Sequence, residues 1–400
     1  MIDVLRLSAA LFLVQAGFHG FTASLPIALT RGGVPDAAIG LIIGSAAVVQ
    51  IPVAIGGGRL VDRFGGLRLF GVGGAAYLAG TAILFLFPVV PGGSVLPFVL
   101  ARICQGAGIG LTGPAALSLA PRMLPRQHHG RGLAYVGAAQ NLTGVLLPPL
   151  SIAILDSGSL AGVALTVVAF VVAGLALVTG LHVAPATHDP HDAAGRRFGI
   201  RFRRTWTIPL LIVVCYVAHW GAVTAYMPVR AEEAGADAGL YFAADGLGIF
   251  LMRVISGRLV DTVSTRLMLV VGEVMTAIAV GMLLLPLTTP MLIVSGLIGG
   301  TGGAIVMAPL LLELSRRSTD ADRGSAFALF SGAIAIAMTL GSMAGAPIVA
   351  ILGLSAALAA GMVLIGVSVV LSVTDTTLGS GQGAGPGTDA VSEAPFGSGA

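Results

Sequence analysis

Apolar stretches of about twenty or more residues, separated by short polar breaks, run along nearly the whole chain. They fall at residues 5–29, 37–58, 67–90, 94–120, 131–155 and 159–183, and again at 206–229, 238–260, 266–288, 291–314, 324–351 and 353–373. A helix rising ~1.5 Å per residue needs ~20 residues to cross the hydrocarbon layer of a bilayer. Lipid offers the backbone no partner, so each stretch must satisfy its own hydrogen bonds as helix. The pattern predicts an all-α membrane protein with twelve transmembrane helices in two pseudo-symmetric six-helix bundles. The bundles are expected at 1–183 and 206–374, joined by a linker at 184–205 and followed by a disordered tail at 375–400. The opening stretch Leu7 to Leu29 is too long for a signal-peptide core and is read as a retained helix.

Composition agrees with the pattern. Hydrophobic residues make up 56% of the chain and charged residues 10%, far below the ~25% charged that a water-facing surface needs. All 21 basic residues are arginine, and their placement carries the orientation. Seventeen lie at the amino terminus, in the central linker or in the loops after even-numbered helices; the opposite loops hold only Arg31 and Arg230. The positive-inside rule puts both termini in the cytoplasm, with the protein multi-pass in the cell's inner (plasma) membrane. His182, His188 and His191 lie in or beside the linker without the spacing of a tight metal site, and fit a solvated, basic linker. Cys104 and Cys215 fall in apolar spans of different halves and are read as small core residues.

The halves repeat each other. Gly58-Arg59-Leu60-Val61-Asp62 recurs as Gly257-Arg258-Leu259-Val260-Asp261, 199 positions later (257 − 58), and both copies close an apolar span. Arg131-Gly132 opens the fifth span, and Arg323-Gly324 opens the eleventh. The first copy continues through Arg63, Phe64 and Gly65 to Arg68, and the fourth span contains Arg102-Ile103-Cys104-Gln105-Gly106. These segments resemble the loop signature and the arginine-x-x-glutamine-glycine signature of the major facilitator superfamily. The chain departs from the first where Gly66 and Leu67 stand for a basic pair, and its second copy has Thr262 and Ser264 for the arginine and glycine.

The resemblance implies secondary active transport of a small organic solute by alternating access. It also implies a crossed latch, with Asp62 against the start of the eleventh helix and Asp261 against the start of the fifth. A helix N-terminus attracts an anion through its free N–H groups and dipole. Gly58, Asp62, Arg63, Arg131, Gly257, Asp261 and Arg323 are therefore the gating candidates.

Polar groups inside apolar spans are expensive and mark function or structure. Gln15, Phe18, His19 and Thr22 recur at helical spacing in the first span; the seventh, its repeat partner, carries His219, Trp220 and Tyr226. Gln15, His19, Arg102, Gln140, Asn141, His219, Trp220 and Tyr226 form the candidate solute site. Histidine titrates near working pH, so His19 joins Arg102 and Asp245 as a candidate for proton coupling. Asp245 has no partner in its own hairpin, which leaves Arg102 or a titrating role. Arg253 and Glu273 lie at similar depth and are expected to pair.

Proton-coupled efflux is the expectation. The fifth span has Gly137, Gly144, Pro148 and Pro149 but not the glycine-proline-x-x-glycine core of the antiporter branch, which keeps proton symport in view. A non-transporting membrane sensor is a further alternative. No phosphate loop, metal constellation or nucleophile–base pair is found. No enzyme activity, cofactor, metal or nucleic-acid partner is expected, and each chain, holding both halves, is expected to act as a monomer with solute, protons and lipid as partners.

Overall fold

A computed structural model describes residues 2–125, 128–181, 183, 202–319, 323–375 and 378. The side chains at 54–55, 57–59, 62, 129–131, 134, 253–254, 256–261 and 323–324 lie outside that description. Most of the linker and tail expected from sequence also lies outside the described residues.

Twelve helical rods and no strand are found among the described residues. The first half holds α1 (Ile2–Arg31, in pieces), α2 (Asp36–Phe64), α3 (Gly66–Leu86), α4 (Leu96–Leu119), α5 (His129–Ser157) and α6 (Leu160–Val178). The second holds α7 (Thr207–Glu233), α8 (Ala238–Thr262), α9 (Thr265–Met282) and α10 (Thr289–Arg316). It ends with α11, joined from Arg323–Thr339, Leu340–Ala344 and Gly345–Leu352, and α12 (Leu354–Thr374).

The packing has the two-fold pattern that the sequence repeat implies. α1 lies on α5 and α6, α2 on α4, and α3 on α4 and α6; each pairing recurs six helices later among α7 to α12. Across the halves, α2 packs on α11 and α5 on α8. Leu165, Ile351, Val363 and Val370 face outward and are exposed, as a rod surface dissolved in lipid requires.

The repeated loops solve one problem in two ways. Gly65 has φ +86° and turns α2 directly into α3, a backbone conformation that only glycine adopts without strain. Its repeat position, 199 residues on, is Ser264, whose hydroxyl instead accepts the Leu267 amide and caps α9.

Two rods are broken. The first span is not the single helix expected: α1 consists of Ile2–Val14, Ala16–His19 and Ser24–Arg31, with turns between. Side-chain-free Gly17 lies against the Tyr77 ring of α3, and Gly20 lies against Val167 of α6. The broken stretch thus presses into its own bundle and turns Phe18, His19 and Thr22 toward the other. In α11, Leu340–Ala344 is a π turn. Pro347 beyond it has no N–H to give a preceding carbonyl. Tyr226 of α7 donates its hydroxyl to the Ser342 carbonyl there.

Candidate functional site

The bundles enclose a cavity of about 290 Å³. The first bundle contributes Phe18, His19 and Thr22 from α1, Gln50 from α2, Arg102 from α4, and Gln140, Asn141 and Gly144 from α5. The second contributes Trp220 and Thr224 from α7, Phe242 and Asp245 from α8, and Met338 and Ser342 from α11.

Arg102 is 2% exposed, and its surroundings hold it without neutralising it. Its Nη1 donates to Gln105 Oε1 at 2.8 Å, one turn on, and its guanidinium carbon stands 4.6 Å from the centre of the Phe18 ring. A cation over an aromatic face gains from the ring quadrupole. No carboxylate pairs with Arg102 among the described residues, and its Nε has no partner there. Beside it, the His19 ring meets Phe18 edge-on at 5.4 Å and faces Gly144. Asn141 Nδ2 donates to the Gly137 carbonyl at 2.7 Å, leaving its amide oxygen as an acceptor.

On the opposite wall, Asp245 is 6% exposed and makes no ion pair or side-chain hydrogen bond with the described residues. The pairing with Arg102 left open by the sequence is not formed. What fixes Asp245 is its backbone. A Cβ at Gly300 of α10 would collide with the Asp245 carbonyl, and one at Gly296 would stand 3.1 Å from its amide. Only helices bearing small residues approach this closely. Trp220 and Phe242 meet edge-to-face at 6.1 Å beside it.

Six predicted residues thus share one cavity: His19, Arg102, Gln140, Asn141, Trp220 and Asp245. Gln15 is buried behind this wall, with its Nε2 and that of Gln140 both near Gly113. His219 and Tyr226 are placed elsewhere. His219 turns from the cavity onto Gly361 of α12, with Nδ1 at the Tyr216 carbonyl. Tyr226 lies between the halves at the arginine-poor end. Sequence reasoning missed Gln50 and Phe242; a glutamine within an apolar span was a signal for the first.

The arginine-poor end is closed. Arg31 of α1 donates to Glu232 of α7 at 2.7 Å across the halves and to Asp156 of α5 at 2.7 Å. Tyr226 reaches Ser342 just below, where Gly40 of α2 also packs. Pro149 and Val145 of α5 meet Gly239 and Gly246 of α8.

At the arginine-rich end, Asp62 and Asp261 fall in the last turns of α2 and α8, and Arg131 and Arg323 in the first turns of α5 and α11. Their side chains, and the surroundings of Gly58 and Gly257, lie outside the described residues, as does the Arg253 side chain expected to meet Glu273. Arg63 is exposed, stacked 5.2 Å over Phe64. Glu273 is fully buried, and its Oε1 accepts hydrogen bonds from Ser368 at 2.6 Å and Ser372 at 3.0 Å.

Two six-helix bundles around a mostly apolar central cavity that carries a few polar and charged side chains define a membrane solute transporter. The profile of the Major Facilitator Superfamily matches residues 7–244 and 232–390, and the chain belongs to that family. Among curated relatives, the efflux pump terG of Aspergillus terreus (strain NIH 2624 / FGSC A1156) is 28% identical over 161 residues, 38% of this chain and 28% of that protein. Sialin of Homo sapiens is 33% identical over 113 residues, 28% of this chain and 22% of that protein. The chain thus spans under a third of the length of either relative. A solved D-xylose-proton symporter shares the fold with a TM-score of 0.73 at 18% identity, over 95% of this chain and 97% of that one.

Proposed function

We propose that this transporter exports a small organic solute in exchange for protons. The observation that carries this reading is Asp245: a carboxyl buried at the cavity wall with no cation beside it among the described residues. An ionised carboxylate there is uncompensated, so its charge state must couple to what occupies the cavity. Arg102 and His19, on the facing wall, set the field that the proton and solute meet. The arginine-rich end is cytoplasmic by the positive-inside rule, in the plasma membrane, with the chain acting as a monomer. The closed end then faces outward. Rocking the bundles breaks the Arg31–Glu232 contact and parts Tyr226 from Gly40 while the Asp62 and Asp261 latches form at the other end.

The absent glycine-proline-x-x-glycine core in α5 favours a second reading, proton symport. Everted vesicles with an acid interior separate the two, using a solute found by thermal-shift screening. Adding it outside collapses the proton gradient if the protein is an antiporter and deepens it if it is a symporter. No change in the gradient during measurable solute flux removes proton coupling altogether.

A further inference from the structure

The cavity holds one guanidinium and one carboxyl that the described residues leave without an ionic partner, and they stand on opposite walls. Arg102 is six residues into α4 (102 − 96) and Asp245 seven into α8 (245 − 238), both helices starting at the arginine-poor end. At ~1.5 Å per residue, both lie about 10 Å below that end. They belong to different bundles and make no ion pair with each other or with another described residue. Two such charges in a site of low dielectric call for countercharges from whatever enters it.

Each charge has the neighbours that its complement needs. The bundle that carries Arg102 also lines the cavity with the amides of Gln140 and Asn141 and the imidazole of His19, so a carboxylate meets a planar guanidinium fork on a wall that offers further polar groups. Beside Asp245 are the rings of Trp220 and Phe242, so an ammonium meets a carboxylate and aromatic faces together. Apolar side chains from Ile43, Ala46, Ala47 and Met338 also line the cavity. We infer that the solute is a zwitterion, its carboxylate held by Arg102 on one bundle and its amine by Asp245 on the other, across a short apolar body. Such a molecule ties the bundles together through its own charges. This deepens the reading of the cavity as the solute site and rests on it.

The test uses full-length protein in detergent and its own fluorescence. Of the two tryptophans, Trp220 lines the cavity, while Trp206 is buried with its Nε1 donating to the Arg317 carbonyl and serves as a constant background. The probes are 4-(aminomethyl)benzoate, 4-methylbenzoate, 4-methylbenzylamine and 4-methylbenzyl alcohol, one ring bearing both charges, either charge or none. The zwitterion is expected to shift Trp220 emission with a Kd at least ~10-fold lower than any other probe, the selectivity that one well-placed charge contact supplies.

Asp245→Asn removes the preference for the zwitterion over 4-methylbenzoate and leaves binding of that anion. Arg102→Gln removes its preference over 4-methylbenzylamine, and Arg102→Lys, a second variant that keeps the charge, restores it. Equal or tighter binding of a singly charged or neutral probe overturns the proposal, as does a uniform loss across all four probes in a variant that still melts cooperatively. Failure of the zwitterion to shift Trp220 at 10 mM also overturns it. If a probe stabilises the protein thermally without moving Trp220, the assignment of the cavity as the solute site falls too. If the charge preference holds while the vesicle gradient never responds, only proton coupling falls.

Discussion

Asp245 and Glu273 are both buried carboxyls of the second bundle, but only one of them faces a space that a solute can enter. Glu273 is fully buried between α9 and α12, where two serine hydroxyls donate to its Oε1 while its Oε2 has no hydrogen-bond partner among the described residues. Asp245 is buried almost as deeply, on the cavity side of α8, and nothing described donates to it. The histidines differ in the same way: His219 is turned into its bundle against α12, whereas His19 faces the cavity beside Arg102. An intramembrane polar residue therefore has one of two uses. Held by donors of its own bundle, it fixes packing; left without donors toward the interface between bundles, it is available for transport.

The largest effect expected from breaking this comparison comes through Gly300. Valine there must push α8 off α10, because its Cβ occupies the position of the Asp245 carbonyl. Overpacking on backbone that cannot yield costs about 3 kcal/mol or more, and the variant is expected to lose its cooperative melting transition and its monodisperse elution.

Glu273→Ala comes next. It removes the acceptor of two buried hydroxyls, at a cost of about 2 kcal/mol. The expected result is a lowered Tm with Trp220 emission and probe binding unchanged. A change in binding with no change in Tm would move Glu273 to the transport side of the comparison.

Arg31→Gln has the smallest effect. Its side chain is 39% exposed and those of Asp156 and Glu232 are 51% and 30% exposed, so solvent screens the pair and the expected loss is about 0–1 kcal/mol. Denaturation at low and high salt checks it, since the difference from the parent should vanish as salt rises.

The rods were legible in the sequence because lipid imposes both length and apolarity on them. The cavity was legible at some of the polar residues that interrupt a span: Arg102, Gln140, Asn141 and Asp245 line it. What the sequence did not convey was direction around a helix. His219 and Trp220 are neighbours, yet a step of ~100° per residue turns the first onto α12 and the second into the cavity. The serine partners of Glu273 lie 95 and 99 residues away, a separation with no local signature. The break in α1 was hidden for a related reason, since it depends on Tyr77 and Val167 receiving Gly17 and Gly20.

The most direct test of the account compares two modes of transport in Asp245→Asn. Removing an uncompensated buried charge should leave the Tm equal or higher. Proton-driven accumulation of solute in everted vesicles should fall to background, while counterflow of labelled against unlabelled solute, which needs no proton, continues. Proton-driven accumulation at the parent's rate in this variant would contradict the assignment of Asp245 as the group that couples protons to the solute.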